Sequence, residues 1–108
     1  MLLAKDKLYE MHAAVCKALG HPARMKVLDL LREGEECVCR LAPKVGVTES
    51  NLSQVLAVLR RAGLVETRRE GHAVYYRVRD ERIFAVIDDM REILADLLAE
   101  ARSLAVTS

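Results

Sequence analysis

The spacing of apolar residues predicts amphipathic helices at both ends of the chain. Residues 5–19 repeat apolar side chains every three or four positions, and a second helix is predicted from Pro22, which suits a first helical turn, to Gly34. Residues 81–104 keep the same period over a longer span. A long amphipathic helix at a chain end usually packs against another surface, and the same helix of a second copy is its natural partner.

Two shorter helices are predicted in the middle of the chain, on either side of a tight turn. The segment "CVCRLAPKVG" fits a short helix, because Pro43 opposes a long one and Gly46 ends it. Thr48 is a good N-cap for the next helix, which stops at Gly63. A short helix, a turn and a helix with a polar face predict a helix-turn-helix over residues 37–62.

After Gly63 the apolar period changes from helical to alternating. Two strands, 64–69 and 73–79, are predicted around Glu70-Gly71-His72, as a hairpin with one apolar and one basic face. A hairpin directly after a helix-turn-helix is a wing, here residues 64–79. The predicted fold class is therefore mainly α with a β-hairpin wing, a winged helix-turn-helix.

The chain has 108 residues, which predicts one domain, residues 1–108. Because a chain of this length buries a modest fraction of its surface, pairing with a second copy would add buried area. We predict a homodimer through the first and last helices, residues 1–20 and 81–104.

Charge is unevenly distributed along the chain. The net charge is +1, but residues 40–79 carry eight Lys or Arg against three Glu, so this segment is +5 and the remainder −4. Concentrated basic charge is typical of a polyanion-binding surface. No apolar run approaches the roughly 20 residues that span a bilayer, and the N-terminus lacks a secretory signal, so we expect a cytoplasmic protein with no membrane partner.

The predicted nucleic-acid contacts lie on the helix after Thr48 and on the hairpin. Asn and Gln can bind adenine edges in the major groove, Ser and Thr can bind bases or phosphates, and basic side chains of a hairpin can reach phosphates or the minor groove. The predicted DNA-binding residues are Thr48, Ser50, Asn51, Ser53, Gln54, Arg61, Arg68, Arg69, His72 and Arg77.

Two of the three cysteines, Cys37 and Cys39, are separated by a single residue. Residues i and i+2 of a regular helix point about 200° apart, so both thiols can meet one ligand only if the backbone departs from helix or if Cys37 precedes the first turn. Close thiols on a charged segment indicate thiolate ligands or redox-active groups. A ligand on this pair would restrain the start of the helix-turn-helix.

Four segments together resemble the ArsR/SmtB family of metal-responsive winged helix-turn-helix repressors: "LGHPARMKVLDLL", "CVC", "VTESNLSQVLAVLRRAGLV" and "REGHAVYYRV". The resemblance covers about residues 10–100. It implies a homodimer that sits on double-stranded operator DNA and leaves it when an inducer binds. Family members commonly carry a histidine in the middle of the recognition helix, where this chain has Val55, so base preference does not carry over.

The resemblance also suggests the metal ligands. Arsenic-responsive relatives can place a third cysteine where this chain has Ala42, whereas other branches recruit one from the N-terminal region, sometimes across the dimer. Cys16 is thus the expected third ligand beside Cys37 and Cys39, from the same or the opposite subunit. Three thiolates suit As(III) or Sb(III); Cd(II), Pb(II) and Zn(II) also accept them. The last helix has no histidine, so we expect no zinc site there.

Three other functions differ in how well they fit the sequence. A thiol redox sensor would join Cys37 or Cys39 to another cysteine in a disulfide or polysulfide. A metal-sequestering protein that never binds DNA would leave the basic segment unexplained. An enzyme is not expected, because the sequence has no catalytic triad, no glycine-rich phosphate loop and no paired carboxylates in a pocket context.

Overall fold

The computed structural model describes residues 2–107 and has five helices and three strands over that range. Their order is α1 (Leu2–Leu19), α2 (Pro22–Leu30), β1 (Glu36–Cys37), α3 (Val38–Val45), α4 (Glu49–Arg61), β2 (Val65–Glu70), β3 (Ala73–Val78) and α5 (Arg82–Thr107). A 3-10 turn, Leu31–Glu33, continues α2. The α3–α4 unit followed by the β2–β3 hairpin confirms the predicted winged helix-turn-helix. None of the described helices has the length and apolar content needed to cross a bilayer.

Most helix bounds lie where the sequence places them, but α2 ends at Leu30 and only its 3-10 continuation reaches the predicted stop at Gly34. Pro22 opens α2, and the His21 ring caps that helix by accepting the Ala23 N–H at 3.2 Å. Gly46 ends α3 in the left-handed conformation, with φ of 84°, which glycine adopts without strain. Pro43 lies inside α3, and the helix ends two residues later, so this proline is tolerated in a helix of only eight residues.

The sheet has one strand more than predicted. The order is β1-β3-β2, and both pairs are antiparallel. In β1, Glu36 pairs with Tyr76 and Cys37 pairs with Tyr75. The sequence predicted only the hairpin, because a two-residue strand is too short to show an alternating pattern. The extra strand fixes Cys37 to the wing.

The core lies between α2, α3, α4 and the sheet. Its fully buried side chains are Val27, Leu28, Leu41, Leu52, Leu56, Leu59 and Ile87. Only Ile87 among these belongs to α5, which meets the core near its N-terminal end. The DNA-binding elements therefore pack against one another and do not depend on most of α5.

Much of α1 and α5 projects from this core with apolar side chains exposed. The Cα radius of gyration is 17.0 Å, against about 13 Å for a compact domain of this length. Large exposed hydrophobic side chains on these two helices include Leu8, Tyr9, Met11, Ile93, Leu94, Leu97 and Leu98. An apolar surface of this kind marks an interaction site.

An ionic cluster joins α5 to the end of α2. Arg32 donates to both carboxylate oxygens of Asp88, at 2.6 and 3.1 Å, and to Asp29 at 3.0 Å. Arg91 donates to Asp29 at 2.6 Å, and the Arg32 guanidinium also lies over the Phe84 ring. Partial burial by itself would raise the pKa of Asp29, but hydrogen bonds from Arg91 and Arg32 lower it, and the Arg32 hydrogen bond lowers the pKa of Asp88. These ion pairs attach the first half of α5 to the end of α2.

Acid is expected to destabilise the fold through these carboxylates and through Asp80. Asp80 accepts from the Arg82 side chain and backbone N–H at the start of α5, and the guanidinium lowers the pKa of Asp80 to about 2. The pKa values of these carboxyl groups are higher in the unfolded chain than in the folded one, so the unfolded chain binds protons first as pH falls. Their stabilisation of the fold is therefore complete above about pH 5 and is lost between about pH 4 and pH 2. Urea unfolding at several pH values measures this loss. Asp80→Asn should flatten the profile, because the substitution removes the carboxylate that Arg82 stabilises.

Candidate nucleic-acid interface and thiol site

Helix α4 presents a polar strip to solvent and an apolar side to the core. Leu52, Leu56 and Leu59 are buried, which turns four polar side chains outward: Ser50, Asn51, Ser53 and Gln54. The Thr48 hydroxyl accepts the Asn51 N–H at 3.1 Å and so starts the helix. Exposed amides and hydroxyls on a helix of 13 residues can reach base edges in a major groove. The predicted contacts on α4 thus share one accessible surface.

The role of Thr48 as a cap leads to a stability prediction. Thr48→Ala removes the acceptor for the Asn51 N–H, and a lost cap of this kind costs about 1 kcal/mol. Urea unfolding should therefore show a lower free energy of unfolding. Ser53→Ala, on the exposed side of the same helix, is the matched control and should change it by less than about 0.5 kcal/mol. An unchanged Thr48→Ala protein would argue that water replaces the cap.

The wing is less basic than its sequence indicates. Arg68 donates to Glu35 and to Glu70 and lies over the Tyr75 ring, and Arg77 donates to Glu66 at 2.7 Å. The Arg68 hydrogen bond lowers the pKa of Glu35, so that carboxylate stays charged. The expected basic face is therefore corrected to one on which two arginines are paired with acids.

The turn of the hairpin is the exposed cationic part of the wing. Arg69 is the penultimate residue of β2, beside the turn at Gly71 and His72, and both Arg69 and His72 are exposed. Within residues 2–107, neither side chain is in an ion pair. These two predicted DNA contacts are placed to meet phosphate directly, whereas Arg68 and Arg77 would first have to leave their carboxylates. Arg61, at the end of α4, is also exposed.

Two basic residues of α3 were not among the predicted contacts. Arg40 and Lys44 are exposed, and both pair with Glu36, at 4.0 and 3.7 Å. The first helix of a helix-turn-helix crosses the DNA backbone, so these side chains can reach phosphates. The sequence did contain one indication of this role, because both residues belong to the segment with a net charge of +5. A groove beside α4 further brings His21 and Arg24 of the α2 start next to Asn51 and Gln54.

The thiol pair, Cys37 and Cys39, is joined by a disulfide with a Cα–Cα distance of 5.4 Å, inside the usual range. The two sulfurs meet because Cys37 has extended backbone, with φ of −82° and ψ of 156°, and precedes the first turn of α3. This is one of the two geometries that the spacing allowed. Cys37 is buried and Cys39 is exposed, so a reagent can approach the pair from the Cys39 side.

The third cysteine lies apart from the pair within one protomer. Cys16 is exposed on α1, next to the apolar residues that project from the core. Among the described residues of a single chain, no set of three or more Cys, His, Asp or Glu side chains is arranged to hold a metal ion. A third thiolate near the pair would therefore have to come from another chain or from a rearrangement of this one.

A groove of about 450 Å³ connects the thiol pair to both DNA-facing elements. Its lining combines Cys37 and Cys39 with Glu49, the first residue of α4, and with His72 in the wing turn. A group bound at the sulfurs would thus lie against the start of the recognition helix and the tip of the wing. The thiol pair therefore lies beside both of these elements.

A helix-turn-helix with an outward polar strip, flanked by a wing, defines a winged-helix DNA-binding protein. A sequence profile of the family described as "Bacterial regulatory protein, arsR family" matches residues 21–67. The chain belongs to the ArsR family. Like its family and its relatives, it is a DNA-binding transcriptional regulator and not an enzyme.

Three relatives illustrate the similarity. The chain is 40% identical over 91% of its length, and 87% of the relative's, to the uncharacterized HTH-type transcriptional regulator Rv0081 of Mycobacterium tuberculosis. The crystal structure of Rv0081 matches with a TM-score of 0.78, at 42% identity, over 86% of this chain and 94% of that one. A biofilm growth-associated repressor of Agrobacterium fabrum is 37% identical, over 85% of this chain and 79% of the relative. The solution structure of Mb0332 from Mycobacterium bovis is described as a homodimeric winged helix-turn-helix DNA-binding domain. It matches with a TM-score of 0.76, at 38% identity, over 89% of this chain and 88% of that one.

Proposed function

We propose that the protein is a homodimeric repressor that leaves its operator when the thiol pair binds a thiophilic metal(loid), with arsenite or antimonite first. One observation carries the proposal: the two sulfurs meet at the junction of β1 and α3, in a groove shared with the start of α4 and the wing turn. The thiol pair must be reduced before its sulfurs can bind a metal(loid). A ligand there would alter the element that reads the groove.

The ligand chemistry supports a soft, thiol-seeking inducer. Two thiolates from Cys37 and Cys39, with Cys16 as the third, form the donor set that trivalent arsenic or antimony prefers. Since the described residues of one chain bring no group of three ligands together, we propose that Cys16 comes from the partner protomer. Cd(II), Pb(II) and Zn(II) are alternative inducers, with Zn(II) needing a fourth ligand.

A second candidate inducer is an oxidant, and the disulfide favours it. With a peroxide, one thiolate attacks an oxygen to give a sulfenic acid and release water or an alcohol. The second thiol then displaces the sulfenic oxygen as water, so the two thiols supply the two electrons and two protons. No third ligand is required, which is why one protomer suffices.

The dimer rests on the exposed faces of α1 and α5 and on the homodimeric relative from Mycobacterium bovis. Repression is inferred from the Agrobacterium fabrum relative, whose name describes a repressor. The proposed compartment is the cytoplasm, where operator DNA is present and thiols are kept reduced. A sequestering protein would have no use for the polar strip of α4.

Competition with labelled DNA is the direct test of the inducer. An operator duplex is selected in vitro from a random library, bound by reduced protein, and treated separately with arsenite, antimonite, Cd(II), Pb(II), Zn(II) and oxidised glutathione. We expect arsenite or antimonite to release the DNA at the lowest concentration. Release by oxidised glutathione alone would replace the metal(loid) proposal with the redox one, and release by none would refute both.

A further inference from the structure

Two acids directly before Cys37, Glu35 and Glu36, hold three cations that belong to DNA-facing elements. Glu35 accepts from Arg68 of the wing with both carboxylate oxygens, and one of these bonds measures 3.1 Å. Glu36 lies 3.7 Å from Lys44 and 4.0 Å from Arg40, both on α3. This acid pair therefore contacts both halves of the surface that would face phosphates, the wing and the first helix of the helix-turn-helix.

We propose that the acid pair competes with DNA for these cations, and that the state of the thiol pair sets the strength of the competition. The inference deepens the proposed function and rests on it for the thiol response. A carboxylate that binds an arginine through two N–H groups neutralises its charge and occupies the paired donors that a phosphate would use for the same two-bond contact. Arg68 also donates to Glu70, so three of its five N–H groups are directed at carboxylates.

The backbone links the acid pair to the thiols. Cys37 donates its N–H to the Glu36 carboxylate at 3.2 Å, and it pairs across the sheet with Tyr75, the ring beneath Arg68. The disulfide ties the end of β1 to the first turn of α3 and so holds Glu35 and Glu36 against their cations. Reduction removes that tie. The acid pair then moves more easily, and the cations become available to DNA.

The test compares reduced and disulfide forms by fluorescence anisotropy on the selected operator, over a range of salt concentrations. Oxidised glutathione prepares the disulfide form by taking two electrons and two protons, and mass spectrometry verifies the loss of two hydrogens. The variants are Glu35→Gln, Glu36→Gln and the double substitution. Glu92→Gln, which removes a negative charge from the exposed side of α5, is the matched control for net charge.

The expected result is tighter binding when an acid is removed, largest in the disulfide form. Each single variant should gain about three- to tenfold in affinity, with a salt slope steeper by about one unit per cation released to phosphate. Adding Arg68→Gln to Glu35→Gln should cancel the gain of the latter, because no cation is then released. Glu92→Gln should match the wild type. Gln is nearly isosteric with Glu, and unchanged urea unfolding would verify that the variants fold.

The outcomes that overturn the inference differ from those that overturn the proposed function. Equal operator affinity of the reduced and disulfide wild-type protein defeats the oxidant form of the proposed function and the thiol dependence inferred here, whereas metal(loid)-triggered release is decided by the competition assay. A wild type that does respond, together with acid variants that bind no more tightly than it does, defeats the competition. Variants that gain equally in both thiol states defeat the link between the acid pair and the thiols.

Discussion

Replacing Leu94 and Leu97 of α5 with glutamate is expected to convert the protein to monomers and to weaken operator binding on the order of 100-fold or more. Both side chains are more than half exposed in one protomer, and both lie on the apolar side of the helix with Met90 and Leu98. In a dimer that packs α5 against its copy, two carboxylates per chain would be buried without partners. A monomer can occupy only one half-site and loses the gain from binding two.

Light scattering after gel filtration measures the mass, and anisotropy measures DNA affinity. Ala99→Glu is the control for position, because it adds one glutamate, against two in the double variant, to the opposite side of α5. It should remain a dimer with wild-type affinity. The fold of the double variant should persist, since the core uses Ile87 and little else from this helix. A dimeric double variant would place the interface elsewhere.

Replacing either member of the thiol pair with serine is expected to abolish release from DNA while leaving affinity within about twofold of the reduced wild type. Serine keeps the size of cysteine but neither forms a disulfide nor binds a soft metal(loid) as a thiolate does. Cys39→Ser is the cleaner variant, because Cys39 is exposed whereas Cys37 is buried. Cys37→Ala avoids burying a hydroxyl and serves as the second test of that position.

Cys16→Ser separates the two candidate inducers. It should weaken release by arsenite, if Cys16 is the third ligand, and should leave release by oxidised glutathione unchanged. Thiol titration gives the supporting count: three reactive thiols per reduced chain and one per disulfide-bonded chain. Normal arsenite release by both Cys37→Ser and Cys39→Ser would refute the thiol site.

Most of the fold could be predicted because its signals are local. The start of α4 follows from Thr48, the end of α3 from Gly46, and the end of the 3-10 turn after α2 from Gly34, each of which acts through its own backbone or a near neighbour. Strand β1 could not be predicted, since two residues carry no period and its pairing with β3 spans almost forty positions. Thus the position of Cys37 at a strand end was not visible in the sequence.

The candidate site was predicted in part, for a similar reason. The exposed strip on α4 follows from helical periodicity, but the pairing of Arg68 with Glu35 joins residues 33 positions apart. A count of charges treats Arg68 as available to bind DNA, whereas in the structure it pairs with two carboxylates and lies over a tyrosine ring. Arg40 and Lys44 were missed because their exposure depends on which side of α3 packs inward. Cys16 illustrates a further limit of sequence-based prediction, because its proposed role as the third ligand depends on how two chains pack together.

The disulfide closes a loop of only three residues within one polypeptide, so its formation needs nothing from the other half of the proposed dimer. Oxidation should therefore produce half-converted species in statistical proportion, and DNA release should follow oxidant dose with a Hill coefficient near one. A metalloid bridging to the partner's N-terminal helix would instead link the two halves. The Hill coefficient of DNA release would then distinguish disulfide formation within each chain from a metalloid that bridges the two chains.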